Sequence, residues 1–83
     1  MTSMEQLISV IWREVLEVDH VGVHDNFYDL GGHSLLAMQV VSRIEKQTGV
    51  WLSPREMIFQ TLHQIAAVCE SRLSSDSELE ADN

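Results

Sequence analysis

Three hydrogen-bonding signatures partition this chain into helices. Ser3 with Gln6, Ser53 with Glu56 and Thr61 with Gln64 each set a hydroxyl residue three positions ahead of a carboxylate or amide. In that arrangement two exposed N–H groups at a helix start are satisfied reciprocally. Pro54 follows Ser53 directly, at the first helical position, where its missing donor costs nothing. A chain of 83 residues with three such starts is expected to be all-α.

The apolar pattern supplies the bodies of the helices. Leu7, Ile8, Ile11, Val15 and Leu16 recur at helical spacing with Trp12 beside them, predicting a first helix over about 4–18 and a core-facing stripe. A second is predicted over about 34–48, with Gly49 as its left-handed stop. A short third spans about 54–59. The last covers about 62–73, with Leu62, Ile65, Ala66, Cys69 and Leu73 on one face. The expectation is a four-helix bundle of three longer helices and one short one, with a long loop between the first two and no internal repeat.

So short a chain buries only about 60% of its unfolded surface, which leaves no room for a deep catalytic cleft and favours a binding or carrying module. Apolar residues make up 45% of it, enough for a folded domain. No apolar run approaches the ~20 residues that cross a bilayer, and no signal peptide opens the chain. The single cysteine, Cys69, excludes an internal disulfide and is read as a small core residue in a reducing compartment, so a cytoplasmic location is expected. A net charge of −8 with only five Lys and Arg argues against nucleic acid and anionic membranes. Asp76, Glu78, Glu80 and Asp82 place half of that charge in residues 74–83, read as a disordered acidic tail behind a domain over 1–73. A monomer is expected. Met1 lies close to the first helix and the chain ends in a polar tail, an arrangement expected of a discrete protein rather than an excised domain.

Residues 19–33 form a 15-residue connection, long for so small a domain. Val21, Val23, Phe27, Tyr28 and Leu30 are expected to pin it across the helices, holding Gly31 and Gly32 in a fixed place. These are the only adjacent glycines in the chain, and they are read as letting another macromolecule approach the backbone closely. Ser34 follows at the N-cap or first turn of the second helix, where unpartnered N–H groups and the helix dipole favour a phosphate ester on its oxygen by about 0.3–1 kcal/mol. Plain capping is the common use of a serine there.

On a helical wheel Leu36, Ala37, Val40 and Ile44 face the core. Leu35 and Met38 project oppositely with Gln39, Ser42, Glu45 and Lys46, an exposed apolar pair beside Ser34. Arg43, Glu45 and Lys46 sum to +1, so this surface is not expected to be acidic. A hydrolase is disfavoured: the nucleophile elbow needs G-x-S-x-G, the chain has Gly32-His33-Ser34-Leu35-Leu36, and no strand precedes it. His20, His24, His33 and His63 do not form a metal motif, since Gly22 interrupts the one pair spaced four apart. Trp12 and Trp51 are read as core or rim aromatics without the basic framing of a base-stacking platform.

The stretch DNFYDLGGHSLLAMQVVSRIEKQTG closely resembles the phosphopantetheine attachment region of peptidyl carrier proteins, the thiolation domains of nonribosomal peptide synthetases. The likeness extends through LHQIAAVCE. It implies an acyl-carrier-like four-helix bundle that is itself no enzyme. It implies, too, that Ser34, flanked by Gly31, Gly32 and His33, receives phosphopantetheine from coenzyme A through a separate phosphopantetheinyl transferase. The arm would then hold an aminoacyl or peptidyl group as a thioester, loaded by an adenylation domain and presented to condensation, tailoring or thioesterase domains. Leu35 and Met38, with Met57, Ile58 and Phe59 of the short helix, become candidate partner contacts; for the last three a core role is the competing reading. Acyl carrier proteins of polyketide pathways usually carry an acidic residue where His33 stands. They remain the alternative within the same class. A helical interaction module without a prosthetic group is the alternative of another class.

Overall fold

Local capping sets most of the helix starts. The computed structural model describes the backbone of residues 1–81 and the side chains of residues 1–73, with α1 at Ser3–Leu16, α2 at Ser34–Thr48, α3 at Pro54–Phe59 and α4 at Leu62–Ala81. Ser53 Oγ accepts from the Glu56 amide at 3.1 Å while Glu56 Oε2 accepts from the Ser53 amide at 2.9 Å, the expected box with Pro54 inside it. Thr61 and Gln64 exchange the same two bonds before α4. The first box is shifted by one residue. Thr2, not Ser3, caps α1, and its partner is Glu5 rather than Gln6.

Two helix ends also differ from expectation. α1 stops at Leu16, short of Val18, because Glu17 turns left-handed at φ 56° and its amide returns to the Arg13 carbonyl. α4 runs on to Ala81, past the expected stop near Leu73, since no glycine or proline interrupts residues 62–83. The acidic side chains of the expected disordered tail, Asp76, Glu78, Glu80 and Asp82, lie outside the described residues. Gly49, at φ 79°, ends α2 as predicted.

α1 packs on α2 and α4, and α2 packs on α3. Ile8, Ile11 and Trp12 of α1 meet Ala37, Val40, Val41 and Ile44 of α2, together with Leu62, Ile65, Ala66 and Cys69 of α4. Leu7, Val15 and Leu16 flank that core half-buried. The inward stripe of α2 differs in one member from the wheel: Val41 is buried, and Leu36 only half-buried. Val41 lies one turn from both Ala37 and Ile44, so it completes their face.

The connection between α1 and α2 is tied down by its backbone. The Leu62 amide donates to the Asp25 carbonyl at 3.0 Å and the His63 amide to the Val23 carbonyl at 2.8 Å, beside an isolated Asn26–Thr61 bridge. Val21 and Phe27 are buried anchors, and Val23 and Leu30 pack partly against the core. Tyr28 is not an anchor. It is 65% exposed, at the outer edge of a turn in which the Gly31 amide donates to its carbonyl.

Candidate functional site

The turn that delivers Ser34 is built around Phe27. The amides of Leu30 and Gly32 both donate to the Phe27 carbonyl, at 3.2 and 3.0 Å. The Phe27 ring, fully buried, meets the Trp12 ring edge-on at 5.2 Å between centroids and 64° between planes. Such a pair adds about 0.5–1.5 kcal/mol beyond burial.

The two glycines serve this turn for different reasons. Gly31 adopts φ +97°, a conformation open to few residues with a Cβ, although nothing would crowd a Cβ there. At Gly32 the conformation is ordinary and space is the limit: a Cβ would overlap the Phe27 ring and lie 2.7 Å from the Phe27 carbonyl oxygen. Gly32 is buried. The expectation that it opens the backbone to a visiting macromolecule is therefore corrected, because its missing side chain is filled from within, by Phe27.

Ser34 is exposed at the first residue of α2. It is not the cap. His33, extended at φ −149° and exposed, holds that position and makes no side-chain capping bond. No acidic residue stands in the first turn, in contrast to α1 and α3, which carry Glu5 and Glu56 there. The positive end of the α2 dipole thus faces outward beside the Ser34 hydroxyl, without a carboxylate to offset it. This donor set suits a phosphodiester.

Beside Ser34 the surface is apolar. Leu35 is 63% and Met38 58% exposed, as the wheel predicts. Of the candidate contacts on α3, Phe59 is 70% exposed, Ile58 is half-buried, and Met57 is fully buried. Met57 is a core residue, and its placement as a surface contact is corrected: α3 has one inward position in so short a helix, and Met57 fills it. Arg43 also departs from its expected place on the open surface, since its Nη2 pairs with Glu14 Oε1 of α1 at 2.6 Å. Glu45 and Lys46 remain exposed, leaving that face of α2 near neutral.

Trp51 was not among the expected contacts. It is 57% exposed and, with Met38, Val41, Ser42, Glu45 and Pro54, lines a groove of about 340 Å³ between α2 and the start of α3. The signal lay in alternation: Val50 and Leu52 are buried on either side of it, and successive side chains of an extended segment point oppositely. Arg72 holds this segment from α4, its Nη1 donating to the Trp51 carbonyl at 2.7 Å and its Nη2 to Glu56 Oε1 at 2.8 Å.

Cys69 and Glu5 are titratable groups buried within the described residues. Cys69 is buried, and desolvation pushes its thiol up to about 11. Glu5 is buried, accepting from the Thr2 amide at 2.7 Å and lying 2.8 Å from His63 Nδ1; the amide first, then the histidine, hold its carboxyl below the usual range. No helix among the described residues is long and apolar enough to cross a membrane.

The Ser34 hydroxyl is thus displayed at a helix start left open for an anion. Comparison with known proteins names the class. The family model described as phosphopantetheine attachment site matches residues 6–70. Tyrocidine synthase 3 of Brevibacillus parabrevis is 43% identical over 65 residues, 76% of this chain, and the chain spans only 1% of that protein's length. A chain in the solved complex of the phosphopantetheine transferase Sfp, coenzyme A and a peptidyl carrier protein is 30% identical, with a TM-score of 0.81 over 86% of this chain and 94% of that one. McyG A-PCP, solved with phenylalanyl-adenylate, is 33% identical, with a TM-score of 0.75 over 83% of this chain and 11% of that one. This chain belongs to the phosphopantetheine-attachment family, as a peptidyl carrier domain. It is a carrier domain of the kind that holds intermediates on a covalent phosphopantetheine arm.

Proposed function

We propose that Ser34 Oγ is the attachment atom and that residues 1–73 are the unit that presents it within nonribosomal peptide synthesis. The observation that carries this reading is the exposed Ser34 at the open N-terminus of α2, uncapped and free of first-turn acid. In the reaction Ser34 Oγ forms a bond to the pantetheine phosphorus while the pyrophosphate P–O bond of coenzyme A breaks. Adenosine bisphosphate leaves, and the hydroxyl proton passes to a base on the visiting transferase. The helix field then favours the new phosphodiester by about 0.3–1 kcal/mol. Once attached, the arm supplies a mobile thiol that holds an aminoacyl or peptidyl group in activated form.

This chain contributes position and recognition. Gly31 and Gly32 shape the turn, His33 sets the extended entry into α2, and Leu35, Met38 and Phe59 offer apolar contacts to partners, with Trp51 beside them. The partners are a phosphopantetheinyl transferase and an adenylation domain, kinds of protein seen with similar carriers, followed by condensation, tailoring or thioesterase domains. A near-neutral recognition face suits partners that do not rely on a strongly basic patch. The chain acts as a monomer in the cytoplasm.

Intact-mass measurement after incubation with coenzyme A, magnesium and a broad-specificity transferase tests the assignment. One phosphopantetheine adduct is expected on the native chain and none on Ser34→Ala. An adduct that survives in Ser34→Ala overturns it.

A further inference from the structure

The carrier family explains why Ser34 is exposed, but not why the residue two before it is buried against an aromatic ring. Gly32 is the last residue before the extended His33 step into α2, so wherever Gly32 is held, Ser34 is held within two residues of it. What holds Gly32 is Phe27, twice. Its carbonyl takes the Gly32 amide at 3.0 Å, and its ring occupies the volume that a Gly32 side chain would need. Phe27 is in turn fixed edge-on by Trp12 of α1 at 5.2 Å. A contiguous packed path therefore runs from the core of α1 through Phe27 to the backbone that launches α2, without passing through the exposed side chains of Leu35 and Met38.

We propose that Phe27 is a positioning residue for modification of Ser34: wedged between Trp12 and Gly32, it fixes the hydroxyl relative to the docking surface. The inference rests on Ser34 being the attachment atom. A transferase that docks on α2 must find the hydroxyl at a set place, and a displacement of about 1 Å can cost on the order of a hundredfold in rate. Loss of the wedge should leave docking, and so KM, largely intact while lowering kcat.

The test follows transferase kinetics of the folded apo protein with coenzyme A, using Phe27→Leu, Phe27→Met as a more adaptable filler, and Ile65→Val as a buried control on α4. Helical content by circular dichroism and the thermal midpoint are measured in parallel, and rates are taken below all midpoints. The expected result is a fall in kcat of about tenfold or more for the folded Phe27 variants, KM changed by no more than about twofold, and Ile65→Val within about twofold of native on both. Native kcat in a folded Phe27 variant overturns the proposal, as does an equal loss in Ile65→Val or a loss confined to KM. Should Phe27→Leu not fold, Phe27→Met gives the decision; failure of both to fold assigns Phe27 to stability and overturns the proposal. An unmodified native chain, or a modified Ser34→Ala, instead removes the Ser34 assignment itself.

Discussion

Gly31 and Gly32 look interchangeable in the sequence and are not. Alanine at Gly31 meets open space but must take φ +97°, a backbone cost of about 1–2 kcal/mol. Alanine at Gly32 must displace the Phe27 ring and carbonyl, an overpacking cost of about 1–3 kcal/mol or more. Urea denaturation should show both variants destabilised. Near-ultraviolet circular dichroism, which senses the Trp12–Phe27 pair, should change in Gly32→Ala and stay native in Gly31→Ala. The sequence made the pair conspicuous and made Ser34 a candidate, because glycines before an apolar-periodic run have few other uses. Which glycine answers to backbone angle and which to space was not legible, since that depends on a ring whose burial is settled by α1.

At the scale of elements, the capping boxes at Ser53 and Thr61 were readable because each has one hydroxyl and one reaching side chain at the right spacing. The first was ambiguous: Thr2 with Glu5 and Ser3 with Gln6 satisfy the same rule one residue apart. A distant contact resolves it, for Glu5 also bonds His63 at the start of α4, a partner Gln6 does not have. Glu56 is likewise held below the usual carboxyl range, by the Ser53 amide foremost and then by Arg72, against the opposing effect of burial. Both carboxyls are held below the ordinary glutamate range, so the stability they add is present above that range and is lost as pH falls through the folded values. Glu5→Gln and Glu56→Gln, which keep the capping geometry, should each flatten the acid limb of a stability-versus-pH curve, checked by urea midpoints from neutral pH downward. An acid limb as steep as that of the native chain would show that the charges contribute nothing there.

For the molecule as a whole, the order and type of the four helices followed from periodicity and capping. The seating of the long connection followed from neither, because Val23 and Asp25 are tied through their carbonyls to α4, and carbonyls carry no sequence signature. The exposed apolar face was half legible: Leu35 and Met38 stood out on the wheel, while Trp51 needs the burial of its two neighbours to be placed. Leu35→Glu and Met38→Glu should keep native helical content and lower kcat/KM for modification by about tenfold, as loss of an apolar anchor worth about 1–2 kcal/mol requires. Unfolding of either variant would return those residues to the core.

Cys69 carries a consequence for chemical economy. Burial that pushes its thiol up to about 11 from an ordinary 9.0 lowers its thiolate fraction at neutral pH by about a hundredfold. The folded apo chain should therefore be silent to iodoacetamide and should react only when unfolded in denaturant, as peptide mapping of the alkylated protein would show. Cys69 should then neither intercept activated acyl groups nor add to a count of thiols in the native fold. A thiol titration of the native fold then becomes a direct tally of how many molecules carry an unoccupied arm.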